Sequence, residues 1–373
     1  MRARTVLVEP SPSGHRFQTV AMVAEVVARD DDVVVLTSRG ALTDPAHETF
    51  LAPLQGVRVE GVFEQEYPST RTLALEVSRR ASRGDTVVVL DADTALRRWW
   101  LEALRAFGLR RRPRVVFMLT RYPARLGPTD LVGWRLRIPK ALLAVLAMLT
   151  GGLHRVAGFA GRDDLSRGWI VRRTRDPARC AAHSRDRAEL RERHGLPADR
   201  RLVGIFGGVS ERKHPDLVWE AMLAGGVEAD LVLGGGLSEG VASWAGRLEQ
   251  TDRNRLVLRS GFLPDQELDE LVAAADAVAL VMTNNGPSGI MGKALAAGVP
   301  VVTAGSAVRA AEASATGGGE SAAMDAASIG AALRRVLDRG GLGVSNVPEA
   351  SVEAYVASML GRERRNVTRT GPL

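Results

Sequence analysis

The sequence has almost no cysteine, almost no lysine and no long apolar run, and each shortage removes a class of protein. Its 373 residues include one thiol, Cys180. A single thiol excludes an internal disulfide framework and any zinc cluster built on cysteine, and it suits a reducing, cytoplasmic setting. The longest apolar run, 141–149, is too short to span a bilayer, and Glu9 and Pro10 arrive too early for a secretory signal. Only six histidines are present, and no group of His, Asp and Glu shows metal-ligand spacing, so no metal is expected. The arginines lack the interleaved aromatic platform of a nucleic-acid surface, so no nucleic-acid partner is expected either. Among 50 Lys and Arg, only Lys140, Lys213 and Lys293 are lysines. Where arginine serves for nearly every positive charge, a lysine marks a place to inspect.

What is present suits a soluble two-domain protein. With 45% hydrophobic and 25% charged residues the chain can bury full cores, and its length fits two domains better than one. Residues 1–197 carry 33 Lys and Arg against 22 Asp and Glu, whereas 198–373 carry 17 against 21. The basic half is the one to meet an anionic surface or acceptor.

Both halves alternate short apolar runs with helix-compatible stretches. The first opens with a strand at Thr5 to Glu9, a loop through Gly14 and His15, a helix from Arg16 to Arg29 and a strand from Asp32 to Thr37, which together read as a βαβ unit. Further buried strands are expected at 86–90, 115–119 and 156–159. The pattern restarts after the polar helix Ser184 to His194, with strands expected at 202–206, 231–233, 256–258, 277–281 and 299–303. Such alternation implies parallel sheets covered on both faces. The expected domains are 1–197, 198–345, and a terminal helix with a basic tail over 346–373. The stretch 310–327, rich in small residues, reads as mobile. Two doubly wound domains of this kind would leave a cleft at the carboxyl ends of their strands, where ligands of such sheets bind.

The clearest motif is the stretch from Asn284 to Val302. It reads as a loop of small residues, a helix beginning near Ser288 and Gly289 and ending at Gly298, and a further buried strand. The free amides and positive dipole end of that helix can hold a phosphate, and Gly289 lets it approach the backbone. The bland alternative is a strand-turn-helix connection with a capping serine.

Taken in order, Gly207-Gly208 through Arg212-Lys213, Leu231 to Gly235, Ser260 to Leu268 with Gly261-Phe262-Leu263, Ala274 to Ala277, and Asn285-Gly286-Pro287-Ser288-Gly289 onward resemble the donor-binding domain of GT-B glycosyltransferases of the family 4 (group 1) type. The resemblance covers 200–345 well and the first half only in layout, through the Gly14 loop. It implies an α/β protein of two Rossmann-like domains facing a central cleft, with a hexosyltransferase-type activity. No cofactor would be needed beyond the donor substrate, a UDP- or GDP-sugar, and family members are generally metal-independent. By the resemblance, Arg212 and Lys213 meet the donor's phosphates, Phe262 and Leu263 lie against the base, Gly235 allows close backbone approach, and Ile290 lies in the same phosphate helix. The family's two glutamates, seven residues apart, are replaced by Asn285 and Lys293. Ribose and sugar recognition therefore cannot follow the usual pattern, and the Lys293 ammonium is expected to reach a phosphate or ribose oxygen.

Candidates in the first half are Asp91 and Asp93 after the strand 86–90, His15, and Arg121 after 115–120. The residues Leu96, Trp99, Trp100 and Phe107 recur at helical spacing among arginines, and 134–149 joins Arg135, Arg137 and Lys140 to an aliphatic run. Both stretches are candidates for contact with an anionic membrane, placing the protein peripherally on the inner face. The function expected is sugar transfer from a nucleotide diphosphate donor to an unidentified acceptor. The alternatives are an altered, non-catalytic relative acting as a partner subunit and a sugar-nucleotide epimerase of the same fold.

Overall fold

The structure is a computed structural model and describes residues 2–13, 16–108, 112–123, 126, 128, 130–164, 166–177, 179–284, 286–340 and 351–362. They divide into two units, the first drawn from 2–159, 166–175 and 351–362, the second from 160–164 and 176–340.

The first unit is a seven-stranded sheet made of β1 (Ala3–Val8), β2 (Asp31–Ser38), β3 (Val57–Phe63), β4 (Thr86–Val89), β5 (Arg114–Leu119), β6 (Arg155–Ala160) and β7 (Arg172–Arg175), in the order β3-β2-β1-β4-β5-β6-β7. Pairing is parallel from β3 through β6. The valine runs 33–35 and 87–89 are fully buried, as a parallel sheet covered on both faces requires. Helix α1 (Arg16–Val27) covers one face, and α2 (Thr70–Arg80), α3 (Leu96–Phe107) and α4 (Leu131–Leu149) cover the other.

Helix α3 corrects one expectation. Trp99 is fully buried, its ring lies 4.8 Å from that of Phe117, and its indole N–H donates to the Gly152 carbonyl at 2.8 Å. The stripe Leu96, Trp99, Ala103 and Phe107 is core, because an aromatic row at helical period packs on a sheet whenever one is available. Helix α4 is different. It buries only Gly133, Ala144 and Ala147 and turns large aliphatic side chains outward.

The second unit holds six strands, β8 (Arg201–Phe206), β9 (Ala229–Gly235), β10 (Leu256–Ser260), β11 (Ala277–Val281), β12 (Val301–Ala304) and β13 (Gly319–Ala322), in the order β10-β9-β8-β11-β12-β13, all parallel. Helices α5 (Arg187–Arg193), α6 (Pro215–Ala224), α7 (Glu239–Gly246), α8 (Gln250–Arg253), α9 (Asp265–Ala274), α10 (Gly289–Ala296), α11 (Ala307–Thr316) and α12 (Ala326–Asp338) belong to it. The stretch 310–327, read as mobile, forms regular secondary structure. Its alanines continue α11, capped by Ser306 and ended by Gly317 in the left-handed region, and then form the edge strand β13. The last helix, α13 (Val352–Leu360), packs on the first unit, with Tyr355 stacked on Phe159 at 5.8 Å.

Candidate functional site

In the second unit the strand order reverses between β8 and β11, and the loops after these strands hold the phosphate-motif residues. Gly207 (φ 83°) and Gly208 leave β8. The backbone then makes a tight turn, Glu211–Lys213, and His214 enters α6 at φ 45°, the one non-glycine residue with positive φ among those described. Strain of this kind collects where a side chain must be aimed. Here it turns Lys213 back over the strand end. The ammonium donates to the Phe206 carbonyl and lies beside Gly207, which Ile290 also approaches. No carboxylate pairs with it among the described residues, and burial, aided by Arg212, pushes its pKa down to about 8. Arg212 itself is exposed.

Gly235 (φ 125°) closes the approach from β9. A Cβ there would stand 2.2 Å from the Gly207 carbonyl oxygen, so only glycine lets the two strand ends meet. Ser288 caps α10 by accepting from the Met291 amide at 3.3 Å. Around the cap, Cβ positions on Gly208, Gly236 and Gly286 face open space, and Pro287 is half-buried. At the end of β10, Phe262 stands 68% exposed while Leu263 packs beside Gly234. Asn285, Gly14 and His15 lie outside the described residues.

Lys293 points elsewhere. Its ammonium is 2.5 Å from Asp269 and 3.6 Å from Asp265, both on α9, and the buried Asp269 also accepts from the Ala181 amide at 2.6 Å. The lysine in the family's second glutamate slot is thus held by an ion pair across α9 and α10.

Two residues that sequence reasoning missed support the loop from inside. Arg309 on α11 is fully buried and donates to the carbonyls of Asn284 (3.0 Å), Gly286 (3.1 Å) and Met282. Arg162, equally buried, donates to the Ser288 carbonyl at 3.2 Å and to Glu312 at 2.8 Å. Together they take up four loop carbonyls. In a chain so rich in arginine, nothing in the sequence singled these two out.

In the first unit the strand ends carry a closed polar chain. Arg16 donates to Glu9 (3.1 Å) and Asp91 (2.6 Å); Thr120 donates to Asp91 (3.2 Å) and Asp93 (3.1 Å); and Asp93 accepts further from the Thr120 and Arg121 amides and from Lys140. The Arg121 side chain is exposed. Glu9 is almost fully buried, and burial outweighs Arg16 to push its carboxyl up to about 7. Its only sequence signal was an acid closing an otherwise apolar strand. Among the described residues no group of three or more His, Cys, Asp or Glu converges as a metal site would.

No family model and no curated protein matches the sequence. Solved structures do match over nearly the whole chain. The Anabaena protein HepE in complex with UDP-glucose is 16% identical, with 96% of this chain and 94% of that one covered at a TM-score of 0.63. Sucrose-phosphate synthase from Thermosynechococcus elongatus is 13% identical (97% and 94% covered, TM-score 0.61). The trehalose 6-phosphate synthase of Burkholderia multivorans is 15% identical (97% and 93%, TM-score 0.62). With two parallel sheets in this strand order, the chain has the GT-B glycosyltransferase fold.

Proposed function

We propose that this protein is a glycosyltransferase that moves a sugar from a nucleoside diphosphate donor, UDP or GDP, to an acceptor brought by its basic first unit. The observation that carries the reading is Lys213: a half-buried ammonium with only carbonyl company among the described residues, beside open glycine loops and the amino end of α10. A cation held partly out of water without a counter-charge is disfavoured. A diphosphate supplies the missing charge, and the amides at Ser288 and Gly289 with the α10 dipole add to the same attraction.

In this reading catalysis rests on positioning and on stabilising the departing diphosphate with protein charges, Lys213 and Arg212, in a metal-independent arrangement. Arg162 and Arg309 act as positioning residues for the loop. Asp91, held by Arg16 and Thr120, is the candidate to take up the acceptor's proton, since it retains some exposure while Glu9 does not. Phe262 offers an exposed ring to the base. HepE, described with UDP and with UDP-glucose, is consistent with a uridine donor.

A thermal-shift screen of UDP, GDP and their sugars tests the reading, because a ligand that binds only the native state raises the melting temperature. A rise with one nucleoside diphosphate and none with the matching nucleoside is expected. Silence from every nucleotide would favour the non-catalytic alternative.

A further inference from the structure

Eight of the fourteen exposed large apolar side chains among the described residues stand on one helix, α4. Leu131 (74% exposed), Ile138, Leu142 (64%), Leu146 and Leu149 (80%) recur at intervals of seven, four, four and three residues and form a single outward ridge. A contiguous apolar ridge on a folded surface marks a contact that the isolated chain leaves unmade. The helix is not a spanning one, since no helix is long and apolar enough to cross a membrane among the described residues.

Charge identifies the partner. Helix α4 carries Arg135, Arg137 and Lys140 and no acid over its 19 residues. Arg135 sits on the ridge between Leu131 and Ile138, and Arg137 lies over the rings of Trp134 and Tyr122 at 5.5 and 5.7 Å. Helix α3 packs beside α4 on the same sheet face and turns Arg97 and Arg98 outward. Two copies meeting ridge to ridge would set this basic, acid-free patch against itself, because a two-fold interface pairs a patch with itself. An anionic lipid surface accepts both the aliphatic ridge and the flanking cations.

We propose that α4 is an in-plane membrane anchor that seats the first unit on anionic lipid. Because Lys140, on the inward side of the same helix, holds Asp93 and the Arg121 carbonyl, one helix carries both the outward ridge and a cation of the polar strand-end cluster. This deepens the sugar-transfer reading, on which the choice of acceptor rests: an acceptor carried by a membrane would reach the cluster beside the helix that touches lipid.

Flotation of the full chain with phosphatidylcholine vesicles, with and without phosphatidylglycerol, tests the anchor. Binding to the anionic vesicles alone is expected, weakening as salt rises. The double variant Ile138→Glu/Leu142→Glu should lower binding by roughly tenfold or more, and Arg135→Ala by roughly fivefold. Both positions are exposed, so melting temperature should hold, and a preserved nucleotide-induced thermal shift in these variants separates loss of the anchor from failure of the donor reading. Equal flotation with neutral and anionic vesicles, or none with either, overturns the proposal. So does a dimer that the double variant converts to monomer, which would assign the ridge to a second copy.

Discussion

The two units share a strand order yet finish their strands in opposite ways. In the first, drawn mostly from the half with 33 cations against 22 acids, the charges at the strand ends are matched: Glu9, Asp91 and Asp93 against Arg16 and Lys140. In the second, from the half with 17 against 21, the strand end holds Lys213 with no acid opposite among the described residues. The overall charge of a unit therefore says little about its site. In the proposed reading, the uncompensated cation at a strand end is the place for an anion, and the compensated network holds groups for a hydroxyl or a proton.

The largest expected effect concerns the lysine that the comparison leaves out. Lys293 is compensated, by Asp269, although it too stands in the second unit. Lys293→Glu would set a second carboxylate against the buried Asp269 and should cost about 3 to 5 kcal/mol of stability, measured by urea unfolding. Burial already pushes the Asp269 carboxyl up, against the pull of Lys293. Without that pull the native state would hold a proton more tightly, so the deficit should shrink as pH falls. If Lys293 served the donor alone, stability would hold and only nucleotide binding would fall.

Next comes Glu9, the test of compensation in the first unit. Its carboxyl rests at about 7 rather than 4.5, chiefly through burial. The native state thus binds the proton more tightly than the unfolded chain, so this group's contribution is fully present below about 4.5 and declines as pH rises to about 7. The difference corresponds to about 3 kcal/mol. Glu9→Gln should flatten the dependence of melting temperature on pH across that window. An unchanged slope would mean that Arg16 compensates Glu9 fully, and the contrast between the units would sharpen.

How much of this was legible in the sequence depends on what each feature is made of. Buried parallel strands are runs of valine and leucine, so 33–36, 87–89 and 277–281 could be read directly. The edge strand β13 was not, because Gly319 to Ala322 offers no apolar run and its pairing comes from β12. The glycine loops were legible as places of close backbone approach, and at Gly235 the structure gives the steric reason. Scarcity singled out the lysines but could not give their aim: Lys213 turns onto the strand end, whereas Lys140 and Lys293 turn into ion pairs. The buried arginines 162 and 309 were invisible, since their role rests on tertiary burial and their residue type is everywhere. For the same reason the Trp99 stripe and the α4 ridge looked alike in sequence, and only packing separated them.

The smallest effect is also the one that bears most directly on function. A charge-assisted contact from Lys213 to phosphate is worth about 1.5 to 3 kcal/mol, so Lys213→Ala should weaken nucleoside diphosphate binding by about tenfold or more, with the fold intact, by calorimetry at neutral pH. The pH dependence adds a second reading from the same titration. The native ammonium loses its proton near 8 rather than 10.5, through burial and Arg212, whereas phosphate binding needs it charged. Affinity in the wild type should therefore be level below about pH 8 and fall by up to about tenfold for each further pH unit. Lys213→Ala should lose that fall and, lacking an amine that is costly to bury charged, should be no less stable than the wild type at neutral pH. Equal affinities in the two proteins, with equal pH profiles, would take Lys213 out of the donor site and erase the contrast between an open strand end and a closed one.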